Sequence, residues 1–110
     1  PRVHNSGHYT IEGSYCSQFE NHIRAILDLP LGNTEMRNEN AVMINIIGER
    51  NGEAKLTRAG RLFSKDKVYL HIYGKKVTKK GRKMGHITVL STDPENAIVS
   101  ANKARESISI

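Results

Sequence analysis

Residues 68–90 read VYLHIYGKKVTKKGRKMGHITVL, and this stretch decides the fold. Its first six residues alternate and are β-branched or aromatic, which predicts a strand. Residues 84–90, MGHITVL, predict a second strand. The segment between them, residues 74–83, is too long for a tight hairpin turn. It holds six basic residues (Lys75, Lys76, Lys79, Lys80, Arg82, Lys83) and no acid. A patch of that kind expects an anion, whether phosphate, nucleic acid or an acidic partner. Gly74 and Gly81 let the loop backbone approach a ligand closely.

Working outward, Asp93-Pro94 supplies an N-cap and a first-turn proline for a helix. Ala97, Ala101, Ala104 and Ile108 give that helix an apolar stripe. Upstream, residues 54–63 place Leu56, Ala59, Leu62 and Phe63 on one helical face and predict a helix. The short apolar run at 41–47, AVMINII, predicts a buried strand. A polar connector spans 33–40. Phe19, Ile23, Ile26 and Leu27 recur at helical spacing after Ser17, and Ser17 with Glu20 forms a possible capping box. Pro30 and Gly32 end that helix. Residues 1–13 carry no helical period; they read as a loop running into a short strand at Tyr9, Thr10 and Ile11. The order of elements predicts an α+β fold.

The chain has 110 residues, enough for one ordinary domain or a piece of a larger one. Its apolar fraction of 37% and the absence of Trp leave a modest core, so some surface is expected to face another part of a protein. Cys16 is the only cysteine, which excludes an intrachain disulfide and fits a reducing, cytoplasmic setting. No apolar run approaches the length of a membrane span, and no signal peptide is visible. The net charge of +6 comes from 17 Lys and Arg against 11 Asp and Glu.

Two motifs carry chemistry. In RVHNSGH, residues 2–8, Arg2 offers a planar cationic fork, and His4, Asn5, Ser6 and the Gly7 backbone add donors. These residues suit the floor of a pocket for a small oxyanion; equally, Asn and Ser in such a loop can bond to their own backbone in a turn. His4 and His8 stand four apart, but Gly7 argues against a helix there and no third metal ligand is evident. In GKKVTKKGRKMGH, residues 74–86, Lys75, Lys79, Arg82 and Lys83 could converge on one phosphate. It is not a Walker loop, since no Lys-Ser/Thr follows the glycines. His22 reads as a surface residue, and His71, His86 and Cys16, taken singly, as structural.

Two longer segments go beyond such patterns. PRVHNSGHYTIEG followed by SQFENHIRAILDLPLG, and YGK followed by GRKMGHITVL, resemble the carboxy-terminal part of the N5-carboxyaminoimidazole ribonucleotide synthetases, the ATPase subunits of phosphoribosylaminoimidazole carboxylase. These are ATP-grasp ligases of purine biosynthesis. The resemblance covers about residues 1–90. It implies a strand and helix ending an ATP-grasp domain over 1–40, then a small β-rich domain with packed helices over 41–110. It also implies the reaction: ATP phosphorylates bicarbonate to carboxyphosphate, and the amine of 5-aminoimidazole ribonucleotide is then carboxylated. Arg2 and His4 stand at the positions for bicarbonate and carboxyphosphate. Lys75 and Arg82 match substrate-binding residues, with Asn5, Ser6 and Lys83 as companions.

Departures from the family pattern are Val3 in place of proline, Lys79 in place of arginine, and Gly13 with Tyr15-Cys16 in place of the usual wording. The family's Mg²⁺-binding carboxylate and its nucleotide-binding lysines are expected upstream of Pro1. The resemblance therefore implies a fragment that lacks the rest of the ATP-grasp lobe, inactive alone, binding ATP and Mg²⁺ only in the full-length parent, and capable of homodimerising. The alternative is a small basic nucleic-acid-binding module using residues 75–83. It is the poorer account, since no stacking aromatic lies within the cluster.

Overall fold

The computed structural model describes residues 2–110; Pro1, the first residue of the expected 1–40 segment, lies outside the described residues. The helices are α1 (Thr10–Gly13), α2 (Gln18–Ile26) and α3 (Pro94–Glu106). The strands are β1 (Asn40–Ile47), β2 (Gly52–Glu53), β3 (Val68–Ile72), β4 (Val77–Thr78) and β5 (Lys83–Ser91). Three of them form an antiparallel sheet in the order β1-β5-β3, and β2 pairs with β4 in a separate two-stranded ladder.

The central place of β5 explains its composition. Flanked on both edges and covered on both faces, it is buried from residue 84 to residue 90. Alternation then sorts the side chains. Val42, Val89 and Val68 form one cross-strand row and Ile44, Ile87 and Leu70 the next; both belong to the core beneath α3. Ala97, Ala101 and Ala104 are buried along α3, and their short side chains let the helix lie close to the sheet. Leu62, Ile108 and Ile110 close this core. Ile46 and Ile87 are fully buried, each contributing about 2 kcal/mol. A bulge between Ile46 and Ile47 leaves Met84 without a partner on β1, and Met84 joins the same core.

The opposite face carries the rows Met43–Thr88–Tyr69 and Asn45–His86–His71. The segment before β1 covers it. Gly13 is buried against Ala41 and Leu90, and residues 33–37 run back along 13–16, with Cys16 N donating to Asn33 O at 2.8 Å and Arg37 N to Gly13 O at 2.7 Å. Ser17 caps α2 by accepting from Glu20 N at 3.1 Å. The reciprocal half of a capping box is given up, because the Glu20 carboxylate binds Arg24 instead, at 2.7 Å. Asp93 caps α3 through Glu95 N at 3.1 Å, as its sequence predicts.

The α+β class and the elements at 17, 41–47, 68–73, 84–90 and 94 match the sequence expectation. Two local expectations fail. Residues 9–11 are not a strand: Asn5–Gly7 form a 3₁₀ turn and Thr10–Gly13 a helical turn. The Thr10 hydroxyl donates to Gly7 O at 2.6 Å and accepts from Gln18 N at 3.0 Å, and this local bonding overrides β propensity. Residues 54–63 are not a helix beyond the 3₁₀ turn Ala59–Arg61. Thr57 instead bridges to Ser109, Arg58 sits at φ 65°, and Leu62 is buried while Phe63 is 78% exposed. The basic connection is longer than a tight hairpin, as expected, and within it Val77–Thr78 pair with Gly52–Glu53.

Candidate functional site

Asn5 is the point where the first segment meets the sheet. Its carboxamide exchanges hydrogen bonds with Asn45 of β1, Nδ2 to Oδ1 at 2.9 Å and 3.1 Å in the two directions. Lys83, at the start of β5, donates from Nζ to Asn5 Oδ1 at 3.0 Å. Lys75 donates from Nζ to the Lys83 carbonyl at 2.7 Å and lies 5.8 Å from the centre of the Tyr73 ring. Two ammonium groups and a carboxamide are thus gathered at one end of the sheet, where β3 leaves it and β5 enters.

Five of the seven sequence-predicted site residues stand outside or only partly inside this group. Arg82 is exposed and its Nη1 donates to Val77 O at 2.9 Å, which ties the guanidinium to the loop and leaves its other N–H groups free to donate elsewhere. The loop itself is anchored on Gly48: Gly81 N donates to Gly48 O at 3.0 Å and Gly48 N to Arg82 O at 2.8 Å. A Cβ at residue 48 would collide with the Lys79 carbonyl and Thr78. Arg2 and Ser6 are exposed and form no hydrogen bond to the others among the described residues. The His4 ring is exposed too, but its main chain is held by Gln18. His4 N donates to Oε1 at 2.9 Å, and Gln18 Nε2 donates to His4 O at 2.7 Å. Lys75 joins only through a main-chain carbonyl. Asn5 and Lys83 are the pair in direct contact.

Beside this group lies a cavity of about 380 Å³, lined by His8, Ile11, Phe19, His71, Tyr73 and His86 among others. The three imidazoles touch. His71 stacks on His86 with centroids 4.4 Å apart, and His8 lies 5.2 Å from His86. Glu12 Oε1 is 2.6 Å from His71 Nε2, which ties α1 to β3. The Tyr73 hydroxyl is 2.9 Å from His86 Nδ1, while His86 Nε2 is buried without a partner. Burial pushes the His86 pKa down to about 4, and the neighbouring His71 and His8 push the same way. Burial also lowers His8, with Lys83 and His71 adding to it against the opposing pull of the His4 main chain, which favours the protonated ring. Burial raises the Tyr73 phenol, so it stays a neutral donor.

Sequence reasoning missed Asn45, Gln18 and Glu12. Asn45 had a signal: it is the one polar side chain inside the apolar run 41–47. Gln18 and Glu12 had none beyond lying within the longer motif, because their partners are 14 and 59 residues away. The histidines were visible singly, but only the register that sets His71 opposite His86 makes them a cluster. Among the described residues no group of three His, Cys, Asp or Glu side chains comes together to hold a metal ion. No helix among them is long and apolar enough to cross a membrane.

Comparison with known proteins gives consistent relatives. Residues 41–100 match the family model described as phosphoribosylaminoimidazole carboxylase C-terminal domain. The chain is 50% identical over 93 residues to the N5-carboxyaminoimidazole ribonucleotide synthase of Pseudomonas aeruginosa, covering 84% of this chain and 24% of that protein. A crystal structure of N5-carboxyaminoimidazole ribonucleotide synthetase from Thermotoga maritima superposes with a TM-score of 0.91 at 48% identity, covering 99% of this chain and 31% of the other. The Aspergillus clavatus N5-carboxyaminoimidazole synthase, solved in complex with ADP and 5-aminoimidazole ribonucleotide, gives a TM-score of 0.78 at 40% identity, covering 96% of this chain and 28% of the other. The chain spans 17% to 24% of the length of the curated relatives it matches.

Proposed function

The chain belongs to the phosphoribosylaminoimidazole carboxylase C-terminal domain family, and from that premise we propose that it works as the carboxy-terminal part of an ATP-grasp ligase. The reaction is the ATP-dependent conversion of bicarbonate and 5-aminoimidazole ribonucleotide to N5-carboxyaminoimidazole ribonucleotide. In this reading residues 1–40 end the ATP-grasp domain and residues 41–110 form the small terminal domain.

The observation that carries the proposal is the contact of Lys83 Nζ with Asn5 at 3.0 Å, with Lys75 bound to the same lysine's carbonyl. Each ammonium has donors left after these bonds, and two cations at one end of a sheet suit the 5′-phosphate of a ribonucleotide. Arg82 adds a fork from the adjoining loop. Arg2 and His4, both exposed, are assigned by the family resemblance to the smaller anion, bicarbonate or the carboxyphosphate formed from it. There a cation favours the charge that develops on oxygen. In this reading ATP and Mg²⁺ belong to the activity of the whole ligase.

A second copy of the chain and a nucleic acid are the other partners to weigh. The nucleic-acid reading gains no stacking platform, since the Tyr73 ring is engaged with His8 and His86.

The test is a chimera in which residues 2–110 replace the matching part of the Thermotoga synthetase. We expect ATP hydrolysis that depends on 5-aminoimidazole ribonucleotide, and a KM for the ribonucleotide raised about tenfold by Lys83→Ala, the equivalent of one charge-assisted hydrogen bond. A folded chimera that binds ADP but hydrolyses ATP no faster when the ribonucleotide is added would overturn the proposal. So would tight, steeply salt-dependent binding of the 110-residue chain to duplex DNA with no response to the ribonucleotide.

A further inference from the structure

Gln18 opens α2 and reaches back 14 residues to the first loop, where its side-chain amide makes three hydrogen bonds. Oε1 accepts from His4 N at 2.9 Å. Nε2 donates to His4 O at 2.7 Å and lies 2.9 Å from His8 Nδ1. The first bond fixes which end of the amide is oxygen, because a main-chain N–H can only donate. The NH₂ group then has two hydrogens and two partners, so His8 Nδ1 must accept and the His8 proton sits on Nε2.

Two further features hold the amide in place. Gln18 N is bound by the Thr10 hydroxyl at 3.0 Å, which fixes the base of the side chain. Gly7 leaves room above it: a Cβ at residue 7 would stand 2.5 Å from Gln18 Oε1. His4 is extended, with φ −118° and ψ 145°, so its N–H and C=O meet a planar amide as they would meet a neighbouring strand. The next residue is Asn5, whose carboxamide reaches Asn45 and Lys83.

We infer that Gln18 is the positioning residue of this site: its amide clamps the main chain of His4, so presenting Asn5 to Lys83, and fixes the Nε2–H tautomer of His8. Only a carboxamide of this length has the donor and the acceptor that the clamp needs. A carboxylate can accept from His4 N but cannot donate to His4 O, and it demands a proton on His8 Nδ1. An alkyl side chain does neither. The role in ligand binding rests on the function proposed above; the clamp and the tautomer do not.

Nitrogen-15 NMR of the histidines in the 110-residue chain at neutral pH tests the clamp directly. His8 should show a protonated Nε2 and a hydrogen-bonded, unprotonated Nδ1; a proton on Nδ1 in the wild-type chain would sink the inference without any variant. Gln18→Glu should raise the His8 pKa by about one unit, as a carboxylate facing a ring nitrogen does. An unchanged value in a folded variant would also sink it. In the Thermotoga chimera, Gln18→Glu and Gln18→Leu should raise the KM for 5-aminoimidazole ribonucleotide about tenfold, the cost of one misplaced charge-assisted contact, with kcat changed less. If both folded variants keep the wild-type KM, the positioning role is refuted. A wild-type chimera without ribonucleotide-dependent turnover would instead refute the proposed function, and the NMR result would still decide the clamp.

Discussion

His86 shows what a single residue does in this fold. It is 2% exposed, stacked on His71, and its pKa is pushed down to about 4 from an ordinary 6.5. Above pH 6.5 it is neutral both folded and unfolded and does not affect stability through protonation. Between pH 6.5 and about 4 the unfolded chain takes up the proton and the folded chain does not, so stability falls as pH falls. The full loss is on the order of 3 kcal/mol, reached once pH is below the folded value. Denaturant titrations at pH 7.5 and 4.5 should show this drop, and His86→Gln should reduce it. His8 titrates in the same direction, so the variant flattens the profile only in part. None of this is legible from the sequence, where His71 and His86 are 15 residues apart and each looks like an ordinary strand histidine. Asn5, Ser6, Lys75, Arg82 and Lys83 were legible as residue types suited to an anion. That Asn5 binds Lys83 while Arg82 turns to Val77 depends on a fold that brings residue 5 to residue 83, a separation no local pattern encodes.

Among the elements, those with a clean period are the ones the sequence predicts. β1, β3 and β5 have β-branched runs, and α3 has its cap and its alanine stripe. Residues 54–63 mislead because their apolar residues do not share a face: Leu62 enters the core by an irregular path and Phe63 points to solvent. Residues 9–11 mislead because one hydroxyl, on Thr10, makes the two bonds that turn the chain. The meeting of β3 and β5 hinges on Gly85, which lies opposite Ile72 beside the bulge. A Cβ there would run into the His71 carbonyl and crowd Ile72. Gly85→Ala should therefore destabilise the chain by about 2 kcal/mol, the range of overpacking in a filled core. It should also speed amide exchange on β3 more than on β1. Unchanged stability with uniform exchange would mean that β3 absorbs a methyl group without moving, against the close approach of the two backbones.

For the whole molecule, the question is whether residues 2–40 are an appendage or part of one packed unit. They cover the sheet face that α3 does not, and their ties are specific. Glu12 meets His71 at 2.6 Å, Asn5 and Asn45 exchange two hydrogen bonds, and Gly13 lies against Ala41 and Leu90. Removing them would bare His86, Thr88, Met43 and Tyr69 on the far face of the central strands. The Thr88 hydroxyl and His86 Nε2 are already buried without partners; with water restored to that face they would be solvated, which offsets part of the loss. The apolar cover lost from Leu90 and Ala41 would not be recovered. A chain of residues 41–110 should therefore keep its core beneath α3, where Ile46, Ile87 and the alanines are untouched. It should still melt several degrees lower than the 110-residue chain, since about 1 kcal/mol moves a domain of this size by 4–8 °C. Its His86 pKa should also rise from about 4 towards 6.5, because the burial and the His8 neighbour that lower it are gone. Equal melting temperatures and an unshifted His86 would show that the boundary at residue 40 separates two independent units; a lower melting temperature with a risen pKa shows one sheet clad on both sides, with the Asn5–Lys83 contact joining both halves of the chain.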